Sequence, residues 1–104
     1  LPKAEKIKGK KAIKEIFASG RRYHFRDFTL ICLPATRSKA GFIASKQIGT
    51  AVKRNRIKRI MREAYRMNKD KLKGLAIIFY AKKTVDFNVV NQTLNELAGP
   101  LCGI

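Results

Sequence analysis

Residues 46–66 read KQIGTAVKRNRIKRIMREAYR, and eight of them are Lys or Arg, opposed by a single carboxylate, Glu63. The chemistry available to such a set is the holding of phosphate. A guanidinium donates two parallel hydrogen bonds from a planar fork, which matches a pair of phosphate oxygens; a lysine ammonium acts as a point charge. Asn55 carries both a donor and an acceptor. It suits a base edge or a ribose hydroxyl, and equally local capping or bound water.

Groups that would break a phosphodiester are missing. His24 is the only histidine, so paired-histidine metal sites and two-histidine nuclease chemistry are excluded. His24 reads as a surface or strand-edge residue. The acidic residues, Glu5, Glu15, Asp27, Glu63, Asp70, Asp86 and Glu96, are scattered. None has the paired spacing of a two-metal nuclease. No phosphate-binding glycine loop and no GxSxG elbow occurs. The expectation is a domain that binds, with no catalytic residue and no metal ligand of its own.

A helix must position the basic set. Wound at about 100° per residue, residues 50–67 place Ile57, Ile60, Met61 and Ala64 on one stripe. Asn55, Lys58, Arg59, Arg62 and Arg66 fall on the opposite side, and Lys53, Arg54 and Arg56 crowd the first turn. One face packs and the other is a positive ridge. Cations at a helix N-terminus oppose its partial positive charge, and an anion bound there would offset that cost. Gly49, just before the helix, permits close approach of a backbone or phosphate. A charged helix face is usually only solvated, but such faces normally mix both signs. Calmodulin-like or membrane-surface binding would need a bulky apolar face free for the partner. Here that stripe is needed for the core.

The bulk numbers agree. The chain has 104 residues, 24 Lys+Arg against 7 Asp+Glu, a formal charge of +17 and a hydrophobic fraction of 45%. That apolar content separates it from a disordered basic tail. A folded domain of this charge points to a polyanionic partner, nucleic acid before any membrane. No run approaches the roughly 18 apolar residues of a membrane span, and no charged-then-apolar leader with a cleavage site is visible. Cys32 lies in an apolar run and Cys102 near the end. They make neither a disulfide framework nor a metal motif, and they read as small apolar filler in a cytoplasmic protein.

The remaining elements follow from pattern. KKAIKEIFASG puts Ile13, Ile16 and Phe17 on one face of a helix over residues 9–19, and Gly20 stands where a positive φ is wanted. FRDFTLICL reads as a strand with Phe28, Leu30 and Cys32 on one side and Thr29, Ile31 and Leu33 on the other, ended by Pro34. Residues 21–25 either begin this strand or form a separate one. PATRSKAG is a polar turn, and residues 41–46 are a second strand. LAIIFYA, residues 75–81, suits a strand covered on both faces, often with parallel neighbours. Phe87, Val90, Leu94 and Leu97 recur at helical spacing, with Asp86 or Thr84 as cap and Gly99-Pro100 as stop. The order suggests one domain over residues 1–104, an α/β sandwich of helices on a small mixed sheet. Aromatic rings beside basic residues can stack unpaired bases. For Phe28 a core role is expected; for Phe17 a groove wall and a core position are both open.

The run GFIASKQIGTAVKRNRIKRIMREAYR closely resembles the signature of the bacterial ribonuclease P protein subunit. The resemblance rests on Lys53-Arg54-Asn55-Arg56, Lys58-Arg59 and Arg62-Glu63, with Gly41-Phe42, Ser45-Lys46, Gly49 and Ala51-Val52 before them. It extends to the first helix with Phe17 and Gly20, the Phe28 strand, LAIIFYA and the last helix. The resemblance implies a two-layer α/β sandwich of a small mixed sheet and about three helices, like the second domain of ribosomal protein S5, with a left-handed β-α-β crossover carrying the basic helix. It implies a partner, the ribonuclease P catalytic RNA, which removes the 5′ leader of precursor tRNA using Mg²⁺ held mainly by RNA. On this likeness Lys53, Arg54, Asn55, Arg56, Lys58, Arg59 and Arg62 face the catalytic RNA, and Lys46 and Arg66 extend that surface. The leader would lie in a cleft between the first helix and the sheet, at Ile13, Phe17 and Ile31. Ile13 and Ile31 stand where relatives often carry aromatics, which weakens stacking but leaves an apolar wall. Gln47 replaces a common lysine. A structural RNA binder of the ribosome and an autonomous nuclease are the competing readings; the first would be found in ribosomes, the second would cut RNA alone.

Overall fold

The computed structural model describes residues 6–7 and 9–102, with side chains described through residue 96. Its elements are α1 (Lys10–Ser19), β1 (Arg21–His24), β2 (Phe28–Pro34), β3 (Lys39–Ala44), α2 (Ala51–Met67), β4 (Leu75–Ala81) and α3 (Phe87–Cys102). The strands form one mixed sheet in the order β1-β2-β4-β3. β2 runs antiparallel to β1 and β4, and β3 runs parallel to β4 through the crossover that carries α2.

The alternation in β2 divides the molecule into two apolar layers. Leu30 pairs with Phe79 and Cys32 with Ile77, and these side chains meet Ile57, Met61, Ala64 and Tyr65 of α2 and Val90 and Leu94 of α3. On the other face Ile31 pairs with Ile78 and Leu33 with Ala76, under Ile16 of α1. β4 is therefore covered on both sides, as its unbroken apolar run requires. Its neighbours are one parallel and one antiparallel. Each large side chain fully buried here contributes about 1.5–3 kcal/mol. Cys32 is one of the buried members; burial pushes its thiol up to about 12, so it packs as filler. The side chain of Cys102 lies outside the described residues.

The choice left open for residues 21–25 is decided: Arg21–His24 form a strand of their own, paired from Arg21 with Cys32 to His24 with Thr29. Other boundaries differ from the sequence reading. β2 begins at Phe28 and includes Pro34. β3 begins at Lys39, inside the expected turn, because Lys39 to Ala44 run in register with Ala76 to Ala81. It stops at Ala44, and Lys46–Ile48 wind into a 3₁₀ turn in which Ser45 Oγ accepts from the Gln47 N–H at 3.2 Å. α3 continues to Cys102, past Gly99-Pro100. A proline deletes one backbone donor, a local loss that need not end a helix in its last turns.

Gly20 joins α1 to β1 for a reason other than a positive φ. Its φ is −75° and ψ 154°, ordinary extended backbone. What it supplies is space. A Cβ there would lie 2.5 Å from the Ile16 carbonyl oxygen and 2.7 Å from Ile31 Cγ2. The absent side chain lets α1 turn directly back onto the sheet.

Candidate nucleic-acid interface

The basic helix is built from its cap. Thr50 stands before α2 in extended conformation, and its Oγ1 accepts from the Lys53 N–H at 3.3 Å. Gly49 precedes it at φ 122°, in the region that favours glycine. The first turn holds no acidic residue. Ile57, Met61, Ala64 and Tyr65 point into the core, so the opposite face is left to solvent. Lys53, Asn55, Arg56, Arg59, Arg62 and Arg66 are exposed, Lys58 is half-buried, and Lys46 is exposed on the 3₁₀ turn leading into the helix. The expected ridge residues are thus brought together along one helix and its entry.

Three members carry features that the helical pattern alone did not assign. Arg54 is half-buried, three residues before Ile57, and its enclosed Nε has no hydrogen-bond partner among the described residues. The Arg62 guanidinium lies 5.9 Å from the centroid of the Phe42 ring, which steadies it over the core without neutralising it. Arg66 grips Glu63 with a two-pronged fork, Nε at 3.2 Å from Oε2 and Nη2 on Oε1. The Arg66 hydrogen bond holds the Glu63 carboxyl below the usual carboxylate range. Arg66 is a locally compensated cation at the far end of the ridge. Thr50 was legible as a cap, since a threonine before an amphipathic run is a standard start signal.

A second surface lies across the sheet. The register places His24, Thr29, Tyr80 and Ile43 in one row across the four strands, and Ile31 and Ile78 in the next. α1 covers the second row and leaves the first partly open: Thr29 is buried, Ile43 and Tyr80 are half-buried and His24 is exposed. The Phe17 ring stands over this border, edge-on to Tyr80 with centroids 6.4 Å apart and planes at 85°. Arg22 Nη2 donates to the Phe17 carbonyl oxygen at 2.8 Å, and its guanidinium carbon lies 5.8 Å from the Phe17 ring centroid. Together these groups enclose an open cavity of about 310 Å³, with Thr29 and Ile31 as floor and His24 and Lys82 at the rim.

Of the three expected cleft residues, Phe17 and Ile31 line this cavity. Ile13 does not; it packs half-buried against the apolar layer formed by Ile16, Ile31, Ala76 and Ile78. Phe17 belongs to both settings, one side on that layer and one side on the cavity. Arg22, His24, Thr29, Tyr80 and Lys82 were not singled out for the cleft by sequence. Tyr80 had a signal: alternation puts it on the face opposite Phe79.

The two surfaces meet at one end of the sheet. β3 finishes at Ala44 opposite Ala81, the Ser45 N–H donates to the Ala81 carbonyl oxygen at 2.9 Å, and the chain then enters the α2 turn. Lys82, on the cavity rim, follows Ala81 directly. Among the described residues no cluster of three or more His, Cys, Asp or Glu could hold a metal, and no helix is long and apolar enough to cross a membrane.

Comparison with known proteins gives the ribonuclease P family. The family model described as Ribonuclease P matches residues 1–101. The ribonuclease P protein component of Citrifermentans bemidjiense is 35% identical over 94% of this chain and 86% of its own length. That of Syntrophus aciditrophicus is 39% identical over 71% of this chain, and the match spans 64% of the relative. Among solved structures, the RNase P protein of Thermotoga maritima aligns with a TM-score of 0.79 at 26% identity, covering 92% of this chain and 96% of that one. The Staphylococcus aureus RNase P protein aligns with a TM-score of 0.80 at 25% identity, covering 94% and 95%.

Proposed function

Because the chain belongs to the ribonuclease P protein family, we propose that it is the protein subunit of an endoribonuclease that matures the 5′ end of tRNA. The ridge of α2 binds the catalytic RNA of the ribonucleoprotein. Lys53, Arg56, Lys58, Arg59 and Arg62 meet its phosphates, Lys46 and Arg66 flank them, Arg54 lies at the border of the core, and Asn55 offers a base or ribose contact. The RNA carries out the hydrolysis with Mg²⁺ that it binds itself; this chain supplies positioning and positive charge. The cleft at Phe17 and Ile31, with Ile13 behind it, takes the unpaired 5′ leader of precursor tRNA in the cytoplasm.

The observation that carries this reading is that one end of the sheet holds both surfaces. The nearly single-signed first turns of α2 and the partly open row at Tyr80 lie toward the same end of the strands, on opposite faces of the sheet. A strand leaving the cleft there remains within reach of an RNA seated on the ridge. Binding by two such surfaces distinguishes a precursor from its product, since only the precursor has a leader.

Phe17→Ala tests it. Loss of one stacking ring should weaken binding of precursor tRNA to the reconstituted ribonucleoprotein by roughly tenfold, and leave mature tRNA unchanged. Equal losses for both would make Phe17 a packing residue only and remove the leader from this cleft.

A further inference from the structure

We propose that the leader of precursor tRNA runs on past the Phe17 cleft, over the back of α1, into a second groove rimmed by Arg37 and Lys39; the proposal rests on the reading of that cleft as the leader site. The groove, about 690 Å³, is more than twice the size of the cleft. It lies on the same face of the sheet, on the other side of α1. Phe17 and Ile31 line the cleft, whereas Ile16 and Leu33 line the groove. Along β4 the order is Tyr80 in the cleft, Ile78 under α1 and Ala76 in the groove. From Tyr80 to Ala76 is roughly 13 Å at ~3.3 Å per strand residue.

Position and charge together favour RNA as the occupant. The cleft lies toward the end of the strands where the α2 ridge begins, and the groove lies toward the other end. A leader held in the cleft and directed away from the ridge meets α1 next, and then the groove. The rim carries Lys6, Arg37 and Lys39, all exposed. Glu15 of α1 is the one carboxylate among the described lining residues. None of these four has an ion-pair partner among the described residues. Three cations against one carboxylate make a rim that attracts phosphate. No aromatic ring lines the groove, but a guanidinium plane also stacks on a base, and Arg37 supplies one above the apolar floor of Ile16, Leu33 and Ala76.

The back of α1 is passable. Ile16 is buried against the sheet, so at about 100° per residue Lys14 and Ala18 point away from it. Both are exposed, and at this spacing they lie one above the other on the helix surface. Ala18 leaves a low point beside Phe17, and Lys14 offers a phosphate contact there. Lys11 and Glu15 have the same spacing, so the carboxylate on the groove side has a cation as its helical neighbour.

The test measures equilibrium binding to the reconstituted ribonucleoprotein of mature tRNA and of two precursors, one with a leader of roughly three nucleotides and one of roughly ten. Wild type should bind the long-leader precursor roughly fivefold more tightly than the short-leader one. Arg37→Gln with Lys39→Gln should abolish that difference and leave the short-leader precursor and mature tRNA unchanged. Glu15→Gln should raise affinity for the long-leader precursor alone by roughly twofold, a gain that a damaged fold cannot produce. Equal binding of the two precursors by wild type, with both still preferred over mature tRNA, overturns the proposal and leaves the leader in the cleft only. A length dependence that survives in the double variant overturns it and leaves an acidic peptide as the occupant this rim could take. An equal loss for all three RNAs in the double variant overturns it by placing these cations against the catalytic RNA or the tRNA body. Equal binding of all three RNAs by wild type overturns the leader-site reading itself, and this proposal with it.

Discussion

Replacing Arg59 and Arg62 together by alanine should lower affinity for the catalytic RNA by roughly twenty- to thirtyfold near physiological salt. It should also flatten the slope of log affinity against log salt by ~2 units at most. Each phosphate contact releases counterions worth roughly 0.7–0.9 units of that slope, and two contacts removed set both numbers. The pair is chosen on the structure: both residues are exposed on α2 and neither has a carboxylate partner among the described residues. Arg62→Ala also gives up its contact with the Phe42 ring, a packing loss of about 0.5–1 kcal/mol that affects stability. The salt slope separates the two effects, because a smaller folded fraction shifts affinity without changing the slope. Arg66→Ala is the internal contrast. Its charge is already opposed by Glu63, so it should flatten the slope less than either partner of the double variant. An unchanged slope in the double variant would place the RNA on another surface.

Gly20→Ala should destabilise the fold by about 2–3 kcal/mol, near the upper end for overpacking. The new methyl would meet a backbone oxygen at 2.5 Å and Ile31 Cγ2 at 2.7 Å, and a backbone oxygen cannot swing aside like a side-chain tip. Relief requires α1 to lift from the sheet. That movement would displace Phe17 from Tyr80 and widen the cavity, so discrimination between precursor and mature tRNA should fall together with stability. Denaturant unfolding of the isolated protein reads the first effect and paired tRNA binding reads the second. A stability change under about 0.5 kcal/mol, the range of neutral surface substitutions, would show that the α1–β1 junction accommodates a side chain.

The parts of this molecule governed by one element's own period were legible before any coordinates. The α2 ridge follows from residues 57, 60, 61 and 64 lying on one stripe, and LAIIFYA announced a strand buried on both faces at its observed limits. The half-burial of Arg54 was also within reach, since it precedes Ile57 by three residues on the same side. So was the Glu63–Arg66 pair, at a spacing that brings side chains together on a helix. The cleft was not legible in the same way. His24, Thr29 and Tyr80 become neighbours only through the register of three strands, and register is a tertiary outcome. RRYH shows no apolar alternation because β1 is an edge strand, with only Tyr23 partly buried. Gly20 was found for the wrong reason: helix-end statistics point to a positive φ, whereas the structure uses its missing Cβ.

The role of subunit is tested by cleavage of a 5′-extended precursor tRNA at low Mg²⁺ by this protein alone, by bacterial ribonuclease P RNA alone, and by the two together. Cleavage at the mature 5′ end is expected only when both are present. Cleavage by the protein alone would make it a nuclease in its own right, and an RNA whose activity the protein does not raise despite binding it would make it a structural RNA binder.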